Sequence, residues 1–329
     1  MIATFAIPCR NAGSHLRPLL ESLLAQTRQD FEILLVDDAS EDDSVELARA
    51  VAGPRIALHR NERPLGIGAN WNRAAALVRT PLFCLAHQDD VYRPEYLAVM
   101  TAALAAKPEA AAAHCRAFTL DEGGREFVSA SERYKDRFWK RGGFHDHAAL
   151  YASLLAGNWI IAPSVLFRTA AVRELGGFAE RLRFVLDWEY WLRMLRSGHG
   201  LIGVAKRLVG YRRHAASATA VEERSLNRYR EEHEIGEQAR ELGSACGLLP
   251  ATAKPSVAMR NDVLRDALFD LRRGDHAACA AKLHFATQLA PWCARDPLFA
   301  SFGLLSRAGA PGRWLLSAGF RLLAGPPTP

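Results

Sequence analysis

Residues 81–92 read PLFCLAHQDDVY. An apolar run from Pro81 to Ala86 stops at His87-Gln88-Asp89-Asp90. A short apolar run ahead of a polar cluster predicts a buried strand whose carboxyl end opens into a cleft. Neighbouring carboxylates repel one another and need a counter-charge. A divalent cation bridging a diphosphate would supply it.

The same arrangement recurs upstream. Ile2 to Ile7 reads as a strand ending at Pro8, followed by Cys9-Arg10-Asn11. Asn11 is placed to cap a helix in which Leu16, Leu19, Leu20, Leu23 and Leu24 recur at helical spacing. Phe31 to Val36 is a second strand, ending in Asp37-Asp38, and Ser40 with Asp43 resembles a capping box for a helix to about Ala52. Ile56 to His59 is a short third strand before Asn61; Gly66 and Gly68 open a loop, and a helix follows from about Asn70 to Val78. Strand and helix alternating at this spacing predict an α/β fold with a mostly parallel sheet covered on both faces. In such sheets ligands bind beyond the carboxyl ends of the strands, where all four polar clusters fall. A dinucleotide fold would need GxGxxG after the first strand; PCRNAGSH stands there instead.

Composition sets the outer limits. The 329 residues suffice for one large domain or two ordinary ones, and 49% hydrophobic with 24% charged residues is the balance of a globular chain. A net charge of +6 suits an anionic partner such as a diphosphate, a lipid phosphate or a membrane surface. The basic residues are dispersed, which argues against nucleic acid. Cys9, Cys84, Cys115, Cys246, Cys279 and Cys293 form no CxxC pair; several sit in apolar runs and read as reduced core thiols, pointing to a cytoplasmic protein. No run approaches the roughly 18 apolar residues of a membrane span.

Beyond Lys107-Pro108, Ala110 to Phe118 and Arg125 to Ser129 flank Asp121-Glu122-Gly123-Gly124 as strand, turn and strand. Residues 131–147, including Arg133, Lys135, Arg137, Trp139, Lys140 and Arg141, read as a surface loop. Ile160 to Arg168 is another strand, Gly176-Gly177-Phe178 a turn, and Phe184 to Glu189 leads into a helix. A strand with Leu201, Ile202 and Val204 follows, and the stretch ends in Gly210-Tyr211-Arg212-Arg213-His214. From Val221 the chain reads as helical. Residues 271–291 look like half of a tetratricopeptide-style hairpin, and the last stretch, with Trp314, Phe320, Leu322 and Leu323 beside Arg313 and Arg321, suits an interfacial helix or one packed on the first domain.

Several blocks in order resemble family 2 glycosyltransferases of the GT-A fold: FAIPCRN at 5–11, FEILLVDDASEDDS at 31–44, NERPLGIGANWNRA at 61–74, LAHQDDVYRPEYL at 85–97, SVLFRTAAVRELGGF at 164–178, RFVLDWEYWLRM at 183–194 and YRRHAASAT at 211–219. The resemblance spans about residues 2–215. It implies a GT-A domain over 1–218, with a nucleotide-binding half (1–106) and an acceptor-binding half (107–218), followed by a helical region over 219–329. It further implies an inverting enzyme that moves a sugar from a UDP- or dTDP-linked donor to a glycan or lipid-linked acceptor.

Carried over residue by residue, the family places Pro8, Cys9, Arg10, Asn11, Asp38, Asn61, Gly66, Asn70 and Gln88 at the nucleotide, with Asp38 accepting from the base imide. Asp89, with Asp90 and His214, matches the site of Mg²⁺ or Mn²⁺. His87 stands where the family's metal motif has its first acid. Asp187 matches the catalytic base, preceded by Leu186 where the family has an acid; it also reads as an N-cap on a helix starting at Trp188. Trp188 and Trp159 are candidates for the acceptor pocket. Two other readings remain open: a nucleotidyltransferase, which lacks its glycine-rich, lysine-bearing opening here, and a non-catalytic sugar-nucleotide-binding or scaffold protein. The C-terminal helices leave peripheral membrane contact and a homodimer open.

Overall fold

The computed structural model describes residues 1–139, 143–144, 146–215, 217 and 225–307, together with Gly312 and Leu316. Four strands open the chain: β1 (Ala3–Cys9), β2 (Phe31–Asp37), β3 (Ile56–Arg60) and β4 (Leu82–Leu85). Between them run α1 (Leu16–Leu24), α2 (Ser44–Ala52) and α3 (Ile67–Leu77). Next come β5 (Val91–Tyr92), α4 (Tyr96–Ala106), β6 (Ala110–Leu120), β7 (Glu126–Phe127), α5 (Ala130–Asp136), β8 (Gly143–Phe144) and α6 (His147–Leu155). After these come β9 (Val165–Arg168), α7 (Thr169–Leu175), α8 (Leu186–Arg196) and β10 (Gly200–Arg212). Then follow α9 (Asn227–Ala245), α10 (Ala258–Arg273), α11 (His276–Leu289) and α12 (Pro297–Arg307).

The strands form one sheet in the order β3-β2-β1-β4-β9-β6-β10-β5, with β7 beside β6 and β8 beside β10. β1, β2, β3 and β4 run parallel, as do β6 and β10. β9 is antiparallel to both β4 and β6, joining the two parallel blocks. The alternation of a strand is visible in how the sheet is covered. Phe5, Ile7, Ile33 and Leu35 enter one core with Leu16, Leu19, Leu20 and Leu23 of α1. Ala6, Leu34, Val36 and Phe83 enter the other, with Trp188, Trp191 and Leu195 of α8.

That second core also contains Ile235 and Ala239 of α9, so the helical region closes one face of the sheet. α10 and α11 form a hairpin that turns at Gly274, where φ is +79°. A third core lies here, built on Val263, Leu264, Ala267, Leu268, Cys293, Phe299 and Phe302. The proposed boundary at 218/219, Lys140, Arg141, and the distal residues Arg313, Trp314, Phe320, Arg321, Leu322 and Leu323 lie outside the described residues.

Three local expectations are corrected. Asn11 does not cap α1, which begins only at Leu16; it sits at φ +49° and turns its Oδ1 to accept from Glu41 N at 2.8 Å. α2 is not opened by a Ser40–Asp43 box: Asp42 accepts from Ser44 N at 3.2 Å, and Ser40 Oγ accepts instead from Asn11 N. Residues 130–136 form helix α5 rather than loop, because buried Glu132 has a partner to fold onto, Thr119, whose N and Oγ1 donate to its carboxylate.

Candidate active site

The carboxyl ends of β1, β2 and β4 meet at one edge of the sheet. Gln88 ties two of them together: its Oε1 accepts from Arg10 N at 2.7 Å and its Nε2 donates to Arg10 O at 3.0 Å. Asp38 N donates to Cys9 O at 2.7 Å, tying in β2. Cys9 contributes backbone only, since burial, reinforced by Asp37, pushes its thiol up to about 12.

Asp38 is buried and fully engaged. Oδ1 accepts from Leu65 N at 2.7 Å and Asn61 Nδ2 at 2.8 Å, while Oδ2 accepts from Gly66 N at 3.0 Å. Asn61 also donates to Asn70 Oδ1 at 3.0 Å, and Asn70 donates to Val36 O at 3.1 Å. Asp38, Asn61 and Asn70 therefore form a closed buried network that pins the loop before α3. Gly66, at φ +91°, makes the turn into α3.

On the β4 side, Asp89 Oδ2 lies 2.8 Å from His214 Nε2, and the His15 ring packs at a tilt of 48° with its centre 4.5 Å from that of His214. Burial, then the neighbouring His214, lowers the His15 pKa. His87 is held neutral, since burial outweighs the pull of Asp89. Its ring lies 5.0 Å from Trp71, and its Nε2 is buried with no partner among the described residues. Asp90 has no exposed surface. Its Oδ1 accepts from Arg212 N at 3.0 Å, and burial, then Asp89, raises its pKa well above the carboxylate range. Asp90 Oδ1 thus ties β10 to the turn, while its Oδ2 is buried with no hydrogen-bond partner among the described residues.

Asp89 and His214, whose Oδ2 and Nε2 lie 2.8 Å apart, are oxygen and nitrogen donors of the kind that hold a divalent ion. Among the described residues no three His, Cys, Asp or Glu side chains come together as a metal-binding group. The donor set therefore fits an open site whose remaining positions fall to phosphate oxygens and water.

The second half reaches this edge through α3. Asn72 Nδ2 donates to Phe178 O at 3.0 Å and Asn72 Oδ1 accepts from Phe178 N at 2.7 Å. Trp71 packs edge-on to Phe178 at 5.2 Å, so one indole bridges His87 and the turn leading to Asp187. A Cβ on Gly68 would stand 2.9 Å from the Glu180 backbone, which is why glycine is needed where α3 meets that turn.

Asp187 lies in the first turn of α8, which begins at Leu186, so it is not the N-cap; that position is Val185. Its Oδ1 accepts from Trp188 N at 2.7 Å. Burial raises its pKa to about 6, against the opposing pull of the Asn158 side chain and Lys135. Trp159 is buried, donates to Ser153 Oγ at 3.1 Å and stacks on Phe138 at 5.5 Å. With Trp139, Lys135, Tyr211 and Arg213 it lines a cavity of about 30 Å³. Trp188 belongs to the core instead: it is 1% exposed and its Nε1 donates to Leu154 O at 2.8 Å, leaving no free ring face for an acceptor. Trp71, His15 and Asn158 were missed by sequence reasoning. Each sits in a helix or loop pattern that marks no site, although Asn158 stands next to Trp159.

The sequence model described as Glycosyl transferase family 2 matches residues 4–155. An uncharacterized protein of Mycobacterium tuberculosis is 30% identical over 225 residues, 66% of this chain and 68% of that protein. An uncharacterized glycosyltransferase of Rickettsia typhi is 26% identical over 198 residues, 59% of each chain. A PGL/p-HBAD biosynthesis glycosyltransferase of Mycobacterium bovis is 26% identical over 191 residues, 57% of this chain and 67% of that one. Among solved structures, Staphylococcus aureus TarS 1-349 in complex with UDP-GlcNAc superposes with a TM-score of 0.60 at 14% identity, over 98% of this chain and 92% of that one. The mannosyltransferase PcManGT from Pyrobaculum calidifontis, in complex with GDP-Man and Mn²⁺, gives 0.58 at 14% identity over 98% and 85%. The fold is that of the GT-A glycosyltransferases.

Proposed function

The chain belongs to glycosyl transferase family 2, and from that premise we propose that it moves a sugar from a nucleotide-diphosphate donor to a hydroxyl of a glycan or lipid-linked acceptor, with inversion. The observation that carries this reading is Asp187. It is a half-buried carboxylate with its pKa at about 6, on a helix start braced against the same α3 that borders His87 and Asp89. A base needs a proton affinity near the working pH and must face the acceptor hydroxyl. The acceptor oxygen attacks the anomeric carbon from the face opposite the diphosphate. The bond to the diphosphate breaks with its electron pair, and the hydroxyl proton passes to Asp187.

Asp89 and His214, with His87 beside them, would hold Mg²⁺ or Mn²⁺, which when bound stabilises charge on the departing diphosphate. The Pro8–Asn11 turn and the loop pinned by Asp38 border the nucleoside. No helix among the described residues is long and apolar enough to cross a membrane. A lipid-linked acceptor would therefore be met at a bilayer surface.

The test is a thermal-shift titration with UDP, dTDP and GDP, with and without Mn²⁺. A ligand at about 100 times its dissociation constant stabilises by roughly 2.7 kcal/mol. UDP or dTDP should give a shift of several degrees that grows with Mn²⁺, and Asp89→Ala should remove the metal-dependent part. Absence of stabilisation by every nucleotide, in folded protein, would overturn the reading.

A further inference from the structure

The turn before Asp187 is held by a residue from the helical region. Three successive N–H groups converge on the carboxylate of Glu231, on α9. Arg183 N donates to Oε1 at 3.0 Å, and Phe184 N and Val185 N donate to Oε2 at 2.9 and 3.3 Å. Glu231 is 6% exposed, and Asn227 Nδ2 donates to its Oε1 at 3.0 Å, which orients it. The local sequence offers no substitute: Val185, the N-cap of α8, has no side-chain oxygen, and no side-chain cap is made there. Buried backbone N–H groups need an acceptor, and a carboxylate just ahead of α8 also faces the positive end of its dipole.

Residues one turn either side of Glu231 reach the same segment. The Arg228 guanidinium lies 4.8 Å from the Phe184 ring, and Arg181 Nη1 pairs with Glu234 Oε1 at 2.7 Å. Positions 228, 231 and 234 share one face of α9 at helical spacing, and that face clasps residues 181–185.

We propose that Glu231 is a positioning residue for sugar transfer: from a distant helix it holds the 183–185 turn that leads into α8, sets where Asp187 sits, and makes α9 part of the catalytic unit. This rests on the reading of Asp187 as the base. Glu231 acts on the base through backbone and not on the substrate, so its loss should lower kcat while donor binding holds. A displacement of about 1 Å at a reacting group can cost about 100-fold.

The experiment compares Glu231→Ala and Glu231→Gln in the full chain by steady-state kinetics across pH, UDP titration, and hydrogen exchange of the 183–185 amides. In Glu231→Ala, kcat should fall about 100-fold with the UDP dissociation constant within about twofold. Exchange at 183–185 should quicken at least tenfold. The acid limb of kcat should move from about 6 toward ordinary carboxylate values as the turn opens to water around Asp187 and Lys135. Glu231→Gln keeps one carbonyl oxygen for Phe184 and Val185 and should recover most of the rate. If Glu231→Ala is poorly folded, Asn227→Ala, which removes only the group orienting Glu231, should move the same readouts in the same direction by less. Unchanged amide protection, an unmoved acid limb, or a parallel loss of UDP binding would overturn the proposal. Failure of the base assignment shows separately, as turnover retained in Asp187→Asn.

Discussion

Asp187→Asn should abolish turnover, by at least 1000-fold in kcat/KM, while leaving UDP affinity within about twofold and making the protein more stable at pH 7. The amide keeps the oxygen that accepts from Trp188 N but cannot take a proton from an acceptor hydroxyl. The stability sign follows from the raised pKa. Folded Asp187 titrates near 6 and an unfolded aspartate near about 3.9, so its contribution is fully present below about pH 4 and lost as pH rises through 6. The asparagine variant has no such loss. Its gain at pH 7 is of order 1 kcal/mol, after allowing for the partial exposure of the group. The wild-type kcat/KM should rise with pH through about 6 as the base deprotonates. Calorimetry and a pH-rate profile check both parts. An aspartate that merely supported the helix start would give the opposite result, lower stability with activity largely kept.

Arg228→Ala should be the most destabilising single change in the helical region, by about 3–5 kcal/mol. The side chain is 1% exposed and meets three carboxylates: Glu232 at 3.0 Å, Asp266 at 3.1 Å and Asp262. Tyr229 Oη also donates to Asp266, at 2.7 Å. Burial works against the charge on Arg228, but Asp262, Glu232 and Asp266 outweigh it and raise its pKa. Without the guanidinium, buried carboxylates face one another with only Arg265 beside them. Glu232, which burial and then Asp262 already hold well above its ordinary value, loses the opposing pull of Arg228 and rises further, so the variant's deficit should shrink as pH falls from 7 toward 5. Denaturant unfolding at the two pH values measures it. A deficit under about 1 kcal/mol that does not change with pH would mean the cluster is solvated and holds little together.

Much of the site was legible because parallel α/β sheets put ligands at strand ends. The polar clusters at Cys9-Arg10-Asn11, Asp37-Asp38 and His87 to Asp90 could be placed from hydrophobic pattern alone, and the structure brings all three to one edge. The resemblance added Asp187, which no pattern marks, in a helix start rich in aromatic residues. What a cluster does with its atoms was not legible. Gln88 and Asp38 stand where the sequence puts them, yet their polar atoms bind backbone, because loops from other strands arrive with N–H groups to satisfy. Trp188 could not be told from an acceptor platform, since its burial is set by α6 and α9 packing over it.

By itself, then, the sequence determined the α/β fold, the edge of the sheet that carries the site, and the residues strung along it, because these follow from local periodicity and from where apolar runs end. Only the tertiary structure decided which of those side chains are spent on holding loops, that Asp90 is buried against β10, and that the turn before Asp187 rests on Glu231. These depend on contacts between residues such as Val185 and Glu231, 46 positions apart. A charged helix carries no mark of which of its carboxylates will meet a distant, uncapped helix start.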